Sequence, residues 1–246
     1  MCIPWDLTNL IGMFRSFRQK ILFSFLLIIC VSFVIVMLTH FHFQARNRIL
    51  KSTALIESLH ISLLKDENAR QNFFNQDTHN SDFFATGNSK NLKNHTLLKD
   101  SVIQTVHKAF DCYLSSSQGP PSLLSEFERD FRANSILFDS VVKLILKRGY
   151  KNFNMEGAMR ERAHHLENSH LVQENEILTL RRHEKDYIIR NEIVYVDKLN
   201  AFAEVLKTKY TSKNDSTTLY LSKYQQIFNE IVALDKAIGL KATAGF

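Results

Sequence analysis

The sequence predicts an all-α protein in which one membrane-spanning helix precedes an elongated antiparallel helical bundle. Residues 21–39, ILFSFLLIICVSFVIVMLT, form an unbroken apolar run. Beyond this run, apolar residues recur at spacings of three and four, the period of a helix, and no stretch shows the alternation that is typical of a β-strand. The 246 residues include only 7 Gly and 3 Pro, a composition that disfavours a turn-rich β fold.

The apolar run is long enough to cross a membrane. About 19 residues at 1.5 Å each span roughly the 30 Å hydrocarbon core of a bilayer. A cleaved signal peptide is the main alternative, because Arg15, Arg18 and Lys20 precede the run as a basic n-region would. A signal h-region is shorter, however, at about 7–15 residues, and ends in small residues. We therefore predict a retained transmembrane helix over residues 21–43.

The charges on either side of the run predict its orientation. Cationic residues close to a span favour the cytoplasm. The three cations before the run lie nearer to it than Arg46, Arg48 and Lys51 lie after it. We predict a single-pass protein with a cytoplasmic tail at residues 1–20 and an extracytoplasmic domain at residues 44–246.

Net charge and cysteine usage narrow the classes of function. The formal net charge of +6 fits an anionic ligand, anionic lipid or nucleic acid. No groove-reading motif or zinc-finger spacing is present, so nucleic acid is not a predicted partner. Cys30 lies within the span, and Cys2 and Cys112 fall on opposite sides of the membrane in the predicted topology, which argues against a disulfide scaffold. Cys112 is a buried structural thiol or, alternatively, an intermolecular or reactive one.

Six helical segments are predicted after the span, the first continuous with it. They cover about 45–72, 92–115, 122–149, 155–190, 195–206 and 219–234. The polar stretch FFNQDTHNSDFFATGNS separates the first two segments, and its Phe pairs, Phe73 with Phe74 and Phe83 with Phe84, are expected to pin this connection to the bundle. Antiparallel helical bundles account for all six segments.

The densest polar cluster is LTLRRHEKDYIIRNE, residues 178–192. On a helix, Arg182, Asp186 and Arg190 lie at i, i+4 and i+8, so that one carboxylate sits between two guanidinium groups. Glu184 occupies a position of the apolar stripe, with Arg181 one turn away. A carboxylate in that position needs a partner, because an unpaired buried charge is costly.

Two interpretations of this cluster remain open. In one, Glu184 and Asp186 form structural ion pairs that set helix register or cover a solvated face. In the other, the cations form a pocket between helices that grips a small carboxylate bidentately. The candidate ligand-binding residues are Arg181, Arg182, Lys185 and Arg190.

No motif in the chain predicts catalysis, a metal or a cofactor. His164, His165 and His170 are grouped, but they do not form HExxH or a face completed by a carboxylate. Phosphate-binding glycine loops, the GxSxG motif and a Cys/His pair with an orienting acid are absent from the sequence. We therefore predict that the protein is not an enzyme and uses no cofactor.

Several segments resemble one family of sensor domains. LRRHEKDYIIR at residues 180–190, followed by YVDKLN at 195–200, resembles the signature segment of the helical bimodular (HBM) sensor domain of bacterial chemoreceptors and sensor histidine kinases. RGYKNFNMEGAMRERAHHLE at residues 148–167 is similar to the Gly-containing segment that precedes it in that family. LDKAIGLKATAGF at residues 234–246 resembles the start of a second such segment.

The resemblance implies a fold, a ligand class and a location. It implies two stacked four-helix bundles, built from two long and four shorter helices, that project from the bacterial inner (plasma) membrane and dimerise. It also implies that small organic acids, such as tricarboxylic-acid-cycle intermediates and acetate, are held by arginines between helices. The family's first-helix arginines have no counterpart here between Leu55 and Leu64.

The family continues with a returning helix, a second span and an output domain, whereas the sequence ends at Phe246. We therefore expect a truncated sensor domain whose incomplete membrane-proximal bundle leaves an apolar groove. A homodimer or a partner sensor subunit would cover this groove. The predicted function is an extracytoplasmic ligand-sensing module of a chemotaxis or two-component signal-transduction system. The alternative is a membrane-anchored interaction or structural protein, or a non-functional fragment of a sensor.

Overall fold

The structure, a computed structural model, describes residues 17–114, 121–211 and 215–239. These ranges contain eight α-helices and no strand, which confirms the predicted all-α class. The helices are α1 Phe17–Gln76, α2 Ser81–Thr86, α3 Lys90–Leu114, α4 Pro121–Arg148, α5 Asn154–Asn168, α6 Glu174–Arg190, α7 Ile193–Thr211 and α8 Asp215–Ile238, with a 3-10 turn at Asp77–His79. Predictions for Arg15, Cys2 and residues 240–246 fall outside the described ranges, as does the side chain of Cys112.

The chain divides into two compact units, Met1–Ser58 and Leu59–Phe246. In the first unit the described residues are helical and belong to α1. Among the described residues, one helix is long and apolar enough to cross a membrane, and it is this one near the N-terminus. Apart from the half-buried Phe23, its apolar side chains are exposed along the predicted span, as a lipid-facing helix requires.

The larger core of the second unit is a four-helix bundle formed by α5, α6, α7 and α8. Each helix contributes apolar residues at helical spacing to one interior. The fully buried members of largest volume are Met159, Leu166, Leu180, Tyr187, Leu199, Leu206, Leu221, Tyr224, Phe228 and Ile231. Asn191 ends α6 in the left-handed conformation, at φ +56°, with its N–H donating to the Tyr187 carbonyl, and the chain then turns into α7.

The smaller core of the second unit joins the C-terminal part of α1 to α2, α3 and α4. Phe73, Phe83 and Phe84 are buried there against Phe138, and the aromatic rings meet edge to face. The prediction that the phenylalanines pin the connection is confirmed for these three, whereas Phe74 stays partly exposed. Ile238, the last residue of α8, also packs against this core, so the two cores adjoin at the end of α8.

The prediction of one helix over residues 155–190 is wrong. The structure has two antiparallel helices, α5 and α6, separated by a turn in which His170 has φ +50°. The Tyr210 hydroxyl holds this turn, because it accepts a hydrogen bond from the Gln173 N–H at 3.2 Å and donates one to Glu176 at 2.7 Å. The reversal buries Val172 in the bundle core, where an unbroken helix could not place it.

The burial pattern predicts which leucines stabilise the bundle. Leu206→Ala should lower the free energy of unfolding by about 3 kcal/mol, because Leu206 is fully buried and its truncation leaves a cavity. Leu178→Ala is the matched control, since Leu178 is exposed, and it should change stability by about 0.5 kcal/mol or less. Urea unfolding of the full chain in detergent micelles measures both. Equal losses in the two variants would contradict the placement of this core.

Candidate functional site

The predicted cluster lies on α6, and the helix divides it between the interior and the surface. Glu184 points into the bundle and is almost fully buried, as its place in the apolar stripe predicted. Its Oε2 accepts a hydrogen bond of 2.5 Å from the Tyr224 hydroxyl on α8. Burial raises the pKa of the Glu184 carboxyl, although the Tyr224 hydrogen bond and the charge of Arg181 oppose that shift.

Arg181 lies between α5 and α6 and is the most enclosed of the predicted ligand-binding residues. Its Nε is 3.4 Å from Oε1 of Glu167, and its Nη1 is 3.6 Å from Oε2 of Glu184. Nη1 is buried and forms no hydrogen bond within the described part of the chain. Two carboxylates therefore neutralise this guanidinium, yet one of its nitrogens retains an unused donor.

The other predicted cations lie on the outer surface of the bundle. Arg182 and Lys185 are exposed. Asp186 lies 3.8 Å from Arg190, and within the described ranges no ion pair joins it to Arg182. The Arg190 guanidinium also lies 5.5 Å from the centre of the Tyr195 ring. The structure thus separates Arg181 from the surface cations, and a ligand-binding role for the four stays a prediction.

A second polar network joins α4 to the four-helix bundle. Arg148, at the end of α4, donates from Nε to Asp235 of α8 at 2.5 Å and from Nη1 to Glu156 of α5 at 2.9 Å. The Tyr187 hydroxyl donates to the second oxygen of Asp235 at 3.1 Å, and Arg160 pairs with Glu156 at 3.1 Å. Asp235 and Glu156 are buried, and the two guanidiniums balance the charges of these two carboxylates.

The electrostatics of this network follow from the same contacts. The carboxylates of Asp235 and Glu156 raise the pKa of Arg148 against the opposing effect of burial. Burial, with the Asp235 charge, raises the pKa of the Tyr187 phenol. At neutral pH the Arg148 guanidinium is therefore charged and the Tyr187 phenol is neutral. The contacts of this network join α4 to α5, α6 and α8.

A third polar cluster, in the smaller core, was missed from the sequence. Asp66 of α1 is fully buried and accepts from His95 of α3 at 2.5 Å, and Arg70 lies 3.0 Å from the same carboxylate. Arg70 also donates to Asn134 of α4. Asp66 lies three residues after Leu63 and seven before Phe73, so it occupies a position of the apolar stripe of α1. The burial of Glu184 was predicted from the same kind of position.

Comparison of the chain with protein-family models, with curated proteins and with solved structures gives no match. Only the geometry of the polar clusters therefore indicates which ligands they can bind. Within the described ranges no group of three His, Cys, Asp or Glu side chains is placed to hold a metal ion. The arrangement around Arg181 can bind a small anion only where that anion competes with Glu167 and Glu184.

The network at Arg148 predicts a large effect on stability. Arg148→Met should lower the free energy of unfolding by about 3 kcal/mol, because it leaves the buried Asp235 without its cation and Glu156 with Arg160 alone. Arg190→Met is the control, because Arg190 pairs on the surface, and it should cost less than about 1 kcal/mol. Urea unfolding of both variants measures the difference. Similar small losses would show that the Arg148 pairs do not stabilise the fold.

The raised pKa of Glu184 predicts a pH effect. A carboxyl whose pKa is higher in the folded state than in the unfolded chain, where it is about 4.3, binds its proton more tightly when folded. Its contribution to stability is present below the unfolded pKa and is lost as pH rises towards the folded pKa. Glu184→Gln cannot ionise, so its free energy of unfolding should rise relative to that of the wild type as the pH increases above about 4.

Unfolding in urea at several pH values measures this difference. Glu174→Gln, which removes an exposed carboxylate from the same helix, is the control for the loss of one surface charge. A difference between Glu184→Gln and the wild type that stays constant over this pH range would refute the raised pKa.

Proposed function

We propose that the chain is a membrane-anchored helical input module of a bacterial signal-transduction system. Residues 21–43 form its single span, the N-terminus is cytoplasmic, and the folded domain is extracytoplasmic. The observation that carries this proposal is the composition of α1. One helix supplies both the apolar stretch and the buried residues Asp66, Ala69 and Phe73 of the folded unit.

The module acts by binding and not by catalysis. The buried carboxylates Glu184, Asp235 and Glu156 are each engaged by hydroxyls or guanidiniums of neighbouring helices. No cofactor takes part in this function. The partners are the membrane, a small organic acid, and a second copy of the chain or a partner sensor subunit, as the HBM resemblance implies.

Arg181 is the residue that supports an organic-acid ligand. Its Nη1 is buried between helices without a hydrogen bond, so a carboxylate entering between α5 and α6 could accept from it. Such a ligand would contact two helices at once and would favour one packing of the bundle over another. The surface residues Arg182, Lys185 and Arg190 would then attract the anion without enclosing it.

A second function is favoured by the ion pairs of the cluster. Arg181, Glu184, Asp186 and Arg190 all have intrachain partners. A cluster engaged in this way can set helix register in an interaction or structural protein that binds no small ligand. The two functions share the anchor and the bundle, and they differ in whether an organic acid stabilises the folded state.

Thermal unfolding of the full chain in detergent micelles, with acetate, succinate, malate or citrate, tests the sensor proposal. An acid that binds only the folded state should stabilise it by about 2.7 kcal/mol at a hundredfold excess over Kd and raise the midpoint. Arg181→Gln should abolish the shift, and the neighbouring Arg182→Gln should retain most of it. If no acid moves the midpoint, the interaction function is favoured. If an acid shifts the midpoint of both variants as it does that of the wild type, the proposed Arg181 site is wrong.

A further inference from the structure

An open groove separates α1 from α4 in the smaller core. Its volume is about 250 Å³, and it is lined in part by Arg70, which also contacts the buried Asp66. Four residues of α1 and four of α4 line it, namely Glu67, Arg70, Gln71, Phe74, Asn134, Leu137, Phe138 and Val141. Leu137 is 64% exposed and Phe74 is 41% exposed, so the groove presents apolar side chains to solvent.

The helices that form the groove run in the same direction. Arg70 meets Asn134, and Phe74, one turn later on α1, meets Phe138, one turn later on α4. By contrast, α3 runs against α4, because Lys99 pairs with Asp139 whereas His107, later on α3, pairs with Glu128, earlier on α4. Neighbouring helices in a bundle alternate in direction. The position between α1 and α4 therefore fits a helix antiparallel to both.

The charges of the groove favour a cationic occupant over a small anion. Arg70 lies 3.0 Å from Asp66 and 3.4 Å from Glu67, and it also donates to Asn134. Asp66 is buried and also contacts His95, whereas the Glu67 side chain is 55% exposed and places a negative charge at the rim. An occupant that places a cation beside Glu67 is complementary to this rim.

The shape of the groove agrees with a helix. Small-molecule sites are concave and usually enclose about 300–1,000 Å³, whereas this groove is smaller and open to solvent. Its apolar lining is Phe74 on α1 with Leu137, Phe138 and Val141 on α4, and Leu137 and Val141 follow helical spacing at i and i+4. An amphipathic helix binds such a surface with apolar side chains at positions i, i+3 or i+4, and i+7.

We propose that the groove between α1 and α4 docks an amphipathic helix of a partner protein. The helix lies antiparallel to α1, packs an apolar stripe against Phe74 and Leu137, and pairs a Lys or Arg with Glu67. The proposal concerns a different core from the Arg181 site and does not depend on the organic-acid function.

Binding of synthetic helical peptides to the full chain tests the proposal. One fluorescein-labelled peptide carries Leu at heptad positions a and d with Lys at e and g, and a matched peptide carries Glu at e and g. The chain is held in phosphatidylcholine nanodiscs, which carry no net charge, and empty nanodiscs give the background. Fluorescence anisotropy should show that the wild type binds the Lys peptide more tightly than the Glu peptide.

Two variants of α4 form a matched pair for this measurement. Leu137→Gln should weaken binding of the Lys peptide about tenfold, since it removes one buried leucine from the contact. Ile136→Gln should leave binding unchanged, because Ile136 is equally exposed, at 66%, but does not line the groove. Glu67→Lys should reverse the preference between the two peptides. Circular dichroism checks that each variant is folded.

Three outcomes would overturn the proposal. The first is that the wild type binds neither peptide above the background of empty nanodiscs. The second is that Leu137→Gln and Ile136→Gln bind the Lys peptide alike. The third is that analytical ultracentrifugation in micelles shows a dimer of the chain that Leu137→Gln dissociates, because the occupant is then a second copy.

Discussion

The contact between Arg148 and Asp235 is the constraint on which the arrangement of the two cores depends. Arg148 ends α4, a helix of the smaller core, and Asp235 lies near the end of α8, a helix of the four-helix bundle. The same guanidinium also holds Glu156, close to the start of α5. One side chain thus fixes where the chain leaves the first core, where the bundle begins and where its last helix ends.

The loop after Arg148 is shaped to bring these groups together. Gly149 has φ +86°, and a Cβ at this position would lie 2.1 Å from the Phe153 carbonyl oxygen, so only glycine fits. The tight turn returns the chain within a few residues and places the Lys151 N–H 3.1 Å from Glu156. The carboxylate therefore receives a backbone donor as well as its guanidinium partners, which lowers the cost of burying it.

Three buried carboxylates have similar surroundings. Glu184, Asp235 and Asp66 each stand on an otherwise apolar helix face and meet partners on neighbouring helices. Apolar residues would satisfy the same positions with less desolvation, so these contacts are better explained by the alignment that they impose than by stability. Hydrogen bonds and ion pairs depend more closely on the alignment of their partners than contacts between leucines do.

The sequence predicted the class of fold because hydrophobic period and low Gly and Pro content are local signals. The burial of Glu184 was predictable for the same reason, since its position in the stripe can be counted. The break at His170 was not, because neither Gly nor Pro marks it and a tyrosine from α7 holds it. The partners of Arg148 could not be predicted from the sequence either, because Asp235 lies 87 residues away and only the fold brings the two side chains together.

The separation of the predicted cations has the same origin. On one helix, spacing shows that Arg181 and Arg182 face different directions and that Arg181 lies one turn from the buried Glu184, but it does not show which residue of another helix Arg181 meets. The structure turns Arg181 towards Glu167 of α5 and leaves Arg182 exposed. Likewise, the apolar residues of α1 and α4 form a groove only once the two helices run side by side. The helix α1 carries both the apolar stretch and residues of the smaller core. The proposed membrane anchor and one wall of the groove therefore belong to the same helix.

Native-state hydrogen exchange of the wild-type chain in nanodiscs tests the central claim, which is that the Arg148 network makes the two cores one cooperative unit. The account predicts that amides around Phe138 of α4 and around Leu199 of α7 open with the same free energy, because neither core opens without the other. A markedly lower opening free energy for α4, with α7 still protected, would show that the cores unfold separately and would contradict it.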